Sequence, residues 1–333
     1  MKKFLFATTA LVMTAGVAAA EVAVSGDGRM GLIYDGDDVQ FSSRARVTFT
    51  LTGESDAGLS FGGSFRADQE SDYTAGNTGS SRSAARGTAG AVWISGTYGK
   101  LSMGDVVGAA EAAIGDLPEV GYTAGEFGGD VEEISFLVGD GENEDQGPTL
   151  LYEYTVNNIS FYASATDGSN LAGPGVVGRG PLVDTDGDGF VDTQIDTADT
   201  AWSVAAKYEG SNFWAALSYS DNGDDSEIGL AAEGTFNNFA IKGVYMDYDY
   251  DSVVGGADGK TYGLGATYQM DALTVKGFWR RDEVEVAGVD ADYDSFGIGA
   301  DYDLGGGAVL AGGIIDTDYL DDTVADFGIK FRF

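Results

Sequence analysis

Residues 184–196 read DTDGDGFVDTQID, and that spacing suits a divalent cation. A twelve-residue calcium loop takes ligands from positions 1, 3, 5, 7 and 9, with glycine at position 6 for the sharp turn. Asp184, Asp186, Asp188, the Phe190 carbonyl and Asp192 fall on the ligand positions, and Gly189 falls on the sixth. Position 12, where a bidentate glutamate belongs, is Ile195, and Asp196 follows one residue later. No flanking helices are expected: GPGVVGRGP precedes the loop and the strand-like WSVAAKY follows it. The reading is a structural Ca²⁺ loop in an excursion over 167–199, binding weakly at about 10⁻⁴ to 10⁻³ M, and not a sensor hand. A merely solvated acidic loop is the plainer alternative.

A second constellation separates charge along the chain. Between Asp105 and Gly147 lie twelve carboxylates, among them Asp116, Glu119, Glu126 and Asp130, and no Lys or Arg occurs between Lys100 and Arg179. Cations concentrate earlier, as Arg29, Arg44, Arg46, Arg66, Arg82 and Arg86. The chain has no histidine, which removes Ser-His and Cys-His catalysis and histidine-ligated zinc. No convergent set of other catalytic groups is visible, so an enzyme is not expected.

The elements that must position these groups begin after a leader. Met1-Lys2-Lys3 is basic, Phe4 to Val17 is apolar, and Ala18-Ala19-Ala20 precedes Glu21. That is the pattern of a secretory signal peptide over 1–20, too short and wrongly flanked for a membrane helix. The remaining 21–333 would carry 16 basic against 54 acidic side chains, a formal charge of −38. Such a chain does not bind nucleic acid, which needs clustered Lys and Arg. With 43% hydrophobic residues it is not disordered either.

Period-two alternation runs from end to end. In FSSRARVTFTL, Ser43, Ala45, Val47, Phe49 and Leu51 share one face, and Ser42, Arg44, Arg46, Thr48 and Thr50 the other. LSFGGSFRAD, YGLGATYQM, LTVKGFW and the closing ADFGIKFRF repeat the pattern. About 16 such segments start near residues 22, 40, 57, 87, 99, 149, 158, 200, 212, 226, 238, 259, 272, 291, 307 and 322. Short turns alternate with long acidic loops, which is the signature of an all-β, antiparallel transmembrane barrel. A soluble β-sandwich also alternates, and a calcium-stabilised secreted β-protein or adhesin is the rival reading. Against it, Arg and Lys sit mid-strand on the polar face, and Tyr34, Phe41, Tyr219, Tyr245 and Trp279 mark strand ends on the apolar face like an interfacial girdle. The alternation turns Arg29, Arg44, Arg46 and Arg66 inward, toward an interior expected to be wet: about 16 strands leave an aqueous channel.

The segments EVAVSGDGRMGLIYDGDD, FSSRARV, GTYGKLSMGD, EVGYT and the terminal FGIKFRF resemble the general, non-specific outer-membrane porins of Rhodobacter-type bacteria. The resemblance spans 21–333, and GYTAGEFGGD is similar to the constriction-loop motif of enteric porins. It implies a 16-stranded barrel in the bacterial outer membrane, assembled as a homotrimer among lipid and lipopolysaccharide and passing small hydrophilic solutes. It also implies that the third loop, 105–147, folds into the lumen. Carried over position by position, Arg29, Arg44, Arg46 and Arg66 match the basic wall of the eyelet, joined by Arg86 before the fourth strand. Asp116, Glu119, Glu126 and Asp130 match acidic positions of the loop. The family often has an acidic residue directly after GYT, where this chain has Ala124. Phe333 matches the terminal aromatic recognised during outer-membrane assembly.

Overall fold

Alternating Val, Phe, Tyr and Thr favour extended chain, because branched and aromatic side chains pack well on a pleated surface. The computed structural model describes residues 21–70, 90–123, 130–138, 149–166, 182–183, 193–194, 200–251, 256–320 and 322–333. The leader, Arg82, Arg86, Glu126 and the whole calcium set (Asp184, Asp186, Asp188, Phe190, Asp192, Asp196) lie outside the described residues. Strands β1 (Glu21–Tyr34), β2 (Val39–Glu54), β3 (Ser60–Glu70), β4 (Gly90–Gly96) and β5 (Gly99–Gly104) precede a helix, α1 (Ala109–Ile114). Next come β6 (Thr149–Val156), β7 (Ile159–Thr166), β8 (Leu182–Val183), β9 (Thr193–Gln194), β10 (Trp202–Glu209) and β11 (Phe213–Asp221). Then follow β12 (Asp225–Phe236), β13 (Phe239–Tyr250), β14 (Ala257–Met270), β15 (Leu273–Val286), β16 (Val289–Gly305), β17 (Ala308–Thr317) and β18 (Val324–Arg332).

All but β8 and β9 close into one antiparallel barrel of sixteen strands; those two pair only with each other. Closure joins β1 to β18, from Asp27 opposite Arg332 to Tyr34 opposite Ala325. Gly26 N–H donates to Phe333 O (2.6 Å) and Phe333 N–H to Gly26 O (2.9 Å), so the last residue is stitched into the first strand. Closure leaves no unpaired edge, as a lipid environment demands. On one rim, two-residue turns begin with Asn157, Asn237 and Asp271, each at a positive φ of 48–54°. Asn and Asp tolerate that conformation, and it matches the twist of a tight hairpin.

The outward face is apolar. Phe41 (87% exposed), Ile298 and Leu264 stand out from it, and Tyr219, Tyr245 and Trp279 share its parity. The Tyr219 and Tyr245 hydroxyls donate to Asp221 (3.0 Å) and Asp247 (2.5 Å), as rings at a membrane–water boundary do. Gly26 and Gly28 are covered by the Phe333 and Phe331 rings of the neighbouring strand. The inward face departs from the sequence expectation. It is polar along β1 and β2, but Ala205, Ala216, Ala231, Val244, Met246, Tyr248, Phe278 and Ile315 add an apolar patch between β10 and β17, among polar side chains such as Ser203, Lys242 and Arg280. Helix α1 was not expected either; it lies in the loop that covers this patch.

Candidate functional site

The segment after β5 turns into the barrel and brings its own apolar residues. Ala113, Ile114, Leu117, Val120, Val131 and Ile134 are buried against the inner wall of β10–β17, forming a small core inside the lumen. The wall is shaped for them. A Cβ on Gly265 would sit 2.2 Å from Pro118 Cδ, and one on Gly313 would sit 2.4 Å from Val120 Cγ1, so only glycine admits the loop this closely.

Loop backbone inside a barrel must find partners, since buried unpaired N–H and C=O groups are costly. Wall side chains supply them. Ala109 and Ala110 N–H, at the start of α1, donate to Ser164 Oγ (2.8 Å) and Ser203 Oγ (3.1 Å). Lys242 Nζ donates to Ile114 O and Asp116 O, both at 2.6 Å, where a cation also complements the helix C-terminus. Arg280 donates to Val131 O (3.3 Å) and to Glu133 O, and the Tyr248 hydroxyl donates to Ser135 O (2.7 Å). Leu137 N–H donates to Glu227 (2.6 Å). Asp326 of β18 accepts from Tyr122 N–H (3.0 Å), Thr123 N–H (2.8 Å), the Thr123 hydroxyl (2.5 Å) and Gly313 N–H (3.1 Å).

Across from this docked side an open cavity remains. A cavity of about 670 Å³ is lined by Arg29, Arg44 and Arg46 on β1 and β2, by Glu119 and Tyr122 of the loop, and by Asp301, Lys330 and Arg332 of the later strands. Arg29, only 4% exposed, donates through Nη1 to Thr123 O at 2.8 Å, and its guanidinium lies 6.0 Å from the Tyr122 ring centre. Arg29 stands directly opposite Arg44 on one side and Lys330 on the other.

The expected residues therefore separate into groups. Arg29, Arg44, Arg46 and Glu119 meet around the cavity. Arg66 faces inward on β3, opposite Thr48, but does not line it. Asp116 instead points into the docked core, where its carboxylate accepts Ile134 N–H (2.8 Å). Burial pushes its pKa up, with the Ile134 hydrogen bond and Lys242 opposing. Asp130 occupies the turn before Val131 with φ 51°, and its carbonyl accepts Glu133 N–H (2.9 Å). Sequence reasoning passed over Glu132. It is 2% exposed, and neither carboxylate oxygen makes a well-formed hydrogen bond among the described residues. Burial pushes its pKa up to about 8; Asp130 and Glu119 add repulsion, and the Glu132 and Val120 N–H groups offset it only in part. Asp326, Lys330 and Arg332 were legible as the polar face of the closing strand, without any sign that one of them grips the loop.

A closed sixteen-stranded barrel with an apolar outside and a loop that half fills a charged lumen defines a membrane channel of the porin class. The family described as Gram-negative porin matches residues 7–322, and the chain belongs to that family. It is 38% identical to a porin of Rhodobacter capsulatus over 340 residues, covering 94% of this chain and all of that protein. A porin of Fuscovulum blasticum is 26% identical, again over 94% of this chain and all of the relative. A porin structure refined at 1.8 Å superposes with a TM-score of 0.75 at 36% identity, over 94% of this chain and all of that one. An anion-selective porin from Comamonas acidovorans shares the fold alone, with a TM-score of 0.66 at 15% identity. The protein is an outer-membrane porin, a passive channel and not an enzyme, and the adhesin alternative falls away.

Proposed function

We propose that ions and small hydrophilic solutes cross this porin through an eyelet with a transverse field. Its basic wall is Arg29, Arg44 and Arg46, to which the sequence adds Arg66 and Arg86; its acidic side is Glu119, to which the sequence adds Glu126 and Asp130. The observation that carries this reading is the 670 Å³ passage with arginines on two adjacent strands and a loop carboxylate at its border. A pair of charges 10 Å apart is worth only about 0.4 kcal/mol in water. That weakness suits conduction, because a site must release what it admits. Polar solutes align with the field, while apolar ones must displace oriented water. Vestibule carboxylates reach about a Debye length, roughly 8 Å at 0.15 M salt. The excess of 54 acidic over 16 basic residues in 21–333 then makes the channel moderately cation-preferring, less so as salt rises. Reversal potentials across planar bilayers test this; anion preference at low salt would overturn it.

The same reading includes a homotrimer set among outer-membrane lipid and lipopolysaccharide. Its support is the low wall at β5, which has 6 residues. At roughly 3.3 Å per residue, before tilting, it does not reach the ~25 Å apolar band of such barrels. A neighbouring subunit covers that side. Conductance should appear in groups of three; insertion in single steps would refute the trimer alone. The 184–196 loop is proposed to bind Ca²⁺ weakly for structural purposes, on its ligand spacing. Calorimetry should find one weak site that Asp186→Ala/Asp188→Ala abolishes, and unchanged binding would dismiss it.

A further inference from the structure

The basic side of the passage does not stop at β1. Arg44, Arg29 and Lys330 are register partners at one level of three adjacent strands, β2, β1 and β18, across the line where the barrel closes. Like charges directly opposite one another in a sheet are destabilising. A row of three is therefore not explained by strand pairing and needs compensation. For Lys330 it comes from Asp301 on β16, whose Oδ2 is 3.6 Å from Lys330 Nζ and 2.9 Å from Lys276 Nζ. One carboxylate thus serves two cations, and the two are not equivalent. The Lys330 side chain keeps 29% of its surface exposed against 14% for Lys276, and its contact with Asp301 is the longer one. Lys330 and Asp301 both line the passage, whereas Lys276 does not. Lys330 also lies beneath the loop, with Nζ 3.5 Å from Gly121 O, two residues before the Thr123 carbonyl that Arg29 holds.

We infer that Lys330 is a selectivity-setting residue of the channel and that Asp301 sets how much of its charge a permeating ion feels. This rests on the eyelet reading above and extends it across the closing seam. Lys276 takes the shorter bond to Asp301, so Lys330 is only partly neutralised. It adds its positive charge to the Arg29–Arg44 pair at the level where the loop narrows the lumen. Removing Asp301 would free both lysines; removing Lys330 would leave Asp301 bound to Lys276 and drop one cation from the row.

The test is the K⁺/Cl⁻ permeability ratio from reversal potentials at about 0.1 M KCl, with folding verified by heat-modifiable gel migration. Lys330→Gln should raise the ratio roughly twofold, because a unit charge about 10 Å away, screened over about one Debye length, acts on K⁺ and Cl⁻ in opposite senses. Asp301→Asn should lower it by a similar factor, and Lys330→Arg should leave it at the parental value. Both shifts should shrink at 1 M salt, where the Debye length is about 3 Å, which separates charge from a change of bore. Should Lys330→Gln fail to fold, the near-isosteric Asp301→Asn carries the test alone. Shifts in the same direction, or no shift at low salt while Arg44→Ser does change the ratio, would overturn the inference and leave the eyelet standing. No shift in Arg44→Ser either would mean that the eyelet reading has failed with it.

Discussion

The two sides of the lumen obey different rules. Against β10–β17 the interior is dry: Ile114, Leu117, Val120 and Ile134 of the loop meet Ala216, Met246, Phe278 and Ile315 of the wall much as elements meet in a soluble core. Against β2, β1 and β18 lies a charged cavity of 670 Å³ with cations in register beside it, the side we read as wet. Packing holds the loop on one side, and on the proposed reading packing sets the bore while charge sets the preference. A barrel of this strand number would otherwise leave a wide aqueous lumen.

Breaking the anchorage of the loop should have the largest effect. Asp326→Ala removes the acceptor of three loop donors and of Gly313 N–H. Each orphaned buried donor costs about 1–3 kcal/mol, so the loop should leave the wall there. Single-channel traces should show a larger, noisier conductance, and a parental trace would show that Asp326 does not anchor the loop. Leu117→Ala comes next, at about 2–5 kcal/mol of lost docking for a fully buried leucine. It should loosen the bore yet keep the permeability ratio; a changed ratio with unchanged conductance would reverse the assignment of roles.

Glu132→Gln should act through pH, by on the order of a few kcal/mol. Folding raises the Glu132 pKa from 4.5 to about 8, so the native state holds its proton longer than the unfolded chain. The neutral side chain therefore costs nothing below pH 4.5; stability is then lost progressively up to about pH 8 and stays lost above it. Melting of the variant should gain on the parent across that window and level off beyond it. A constant difference at every pH would refute the buried, protonated carboxyl. The smallest effects belong to the wet side. Arg44→Ser/Arg66→Ser should deepen cation preference, with Arg44 carrying more of the change because Arg66 does not line the cavity. Glu119→Gln should weaken it, by roughly twofold per charge.

Most of the barrel was legible because a strand announces itself locally. Each barrel strand begins within three residues of the start read from alternation, and Arg29, Arg44, Arg46 and Glu119 line one cavity. The dry side was not legible. Ala205, Ala216 and Met246 look like flaws in a polar face until the loop that covers them is in place. The partners that fix the loop lie far away in sequence: Thr123 and Asp326 are 203 residues apart, and Lys242 and Ile114 are 128 apart. No local period encodes such a pairing. The same distance hid the different fates of two neighbouring acids: Asp116 enters the dry core while Glu119, one turn of chain away, borders the passage.

The central claim is that bore and preference reside on opposite sides of one loop. Paired measurement of conductance and reversal potential in a KCl gradient, for the parent, Leu117→Ala and Arg44→Ser, tests it most directly. The account predicts a parental cation preference that fades as salt rises, altered conductance with an unchanged ratio in Leu117→Ala, and a raised ratio in Arg44→Ser. Anion preference in the parent, or an Arg44→Ser ratio equal to the parental one, would contradict it.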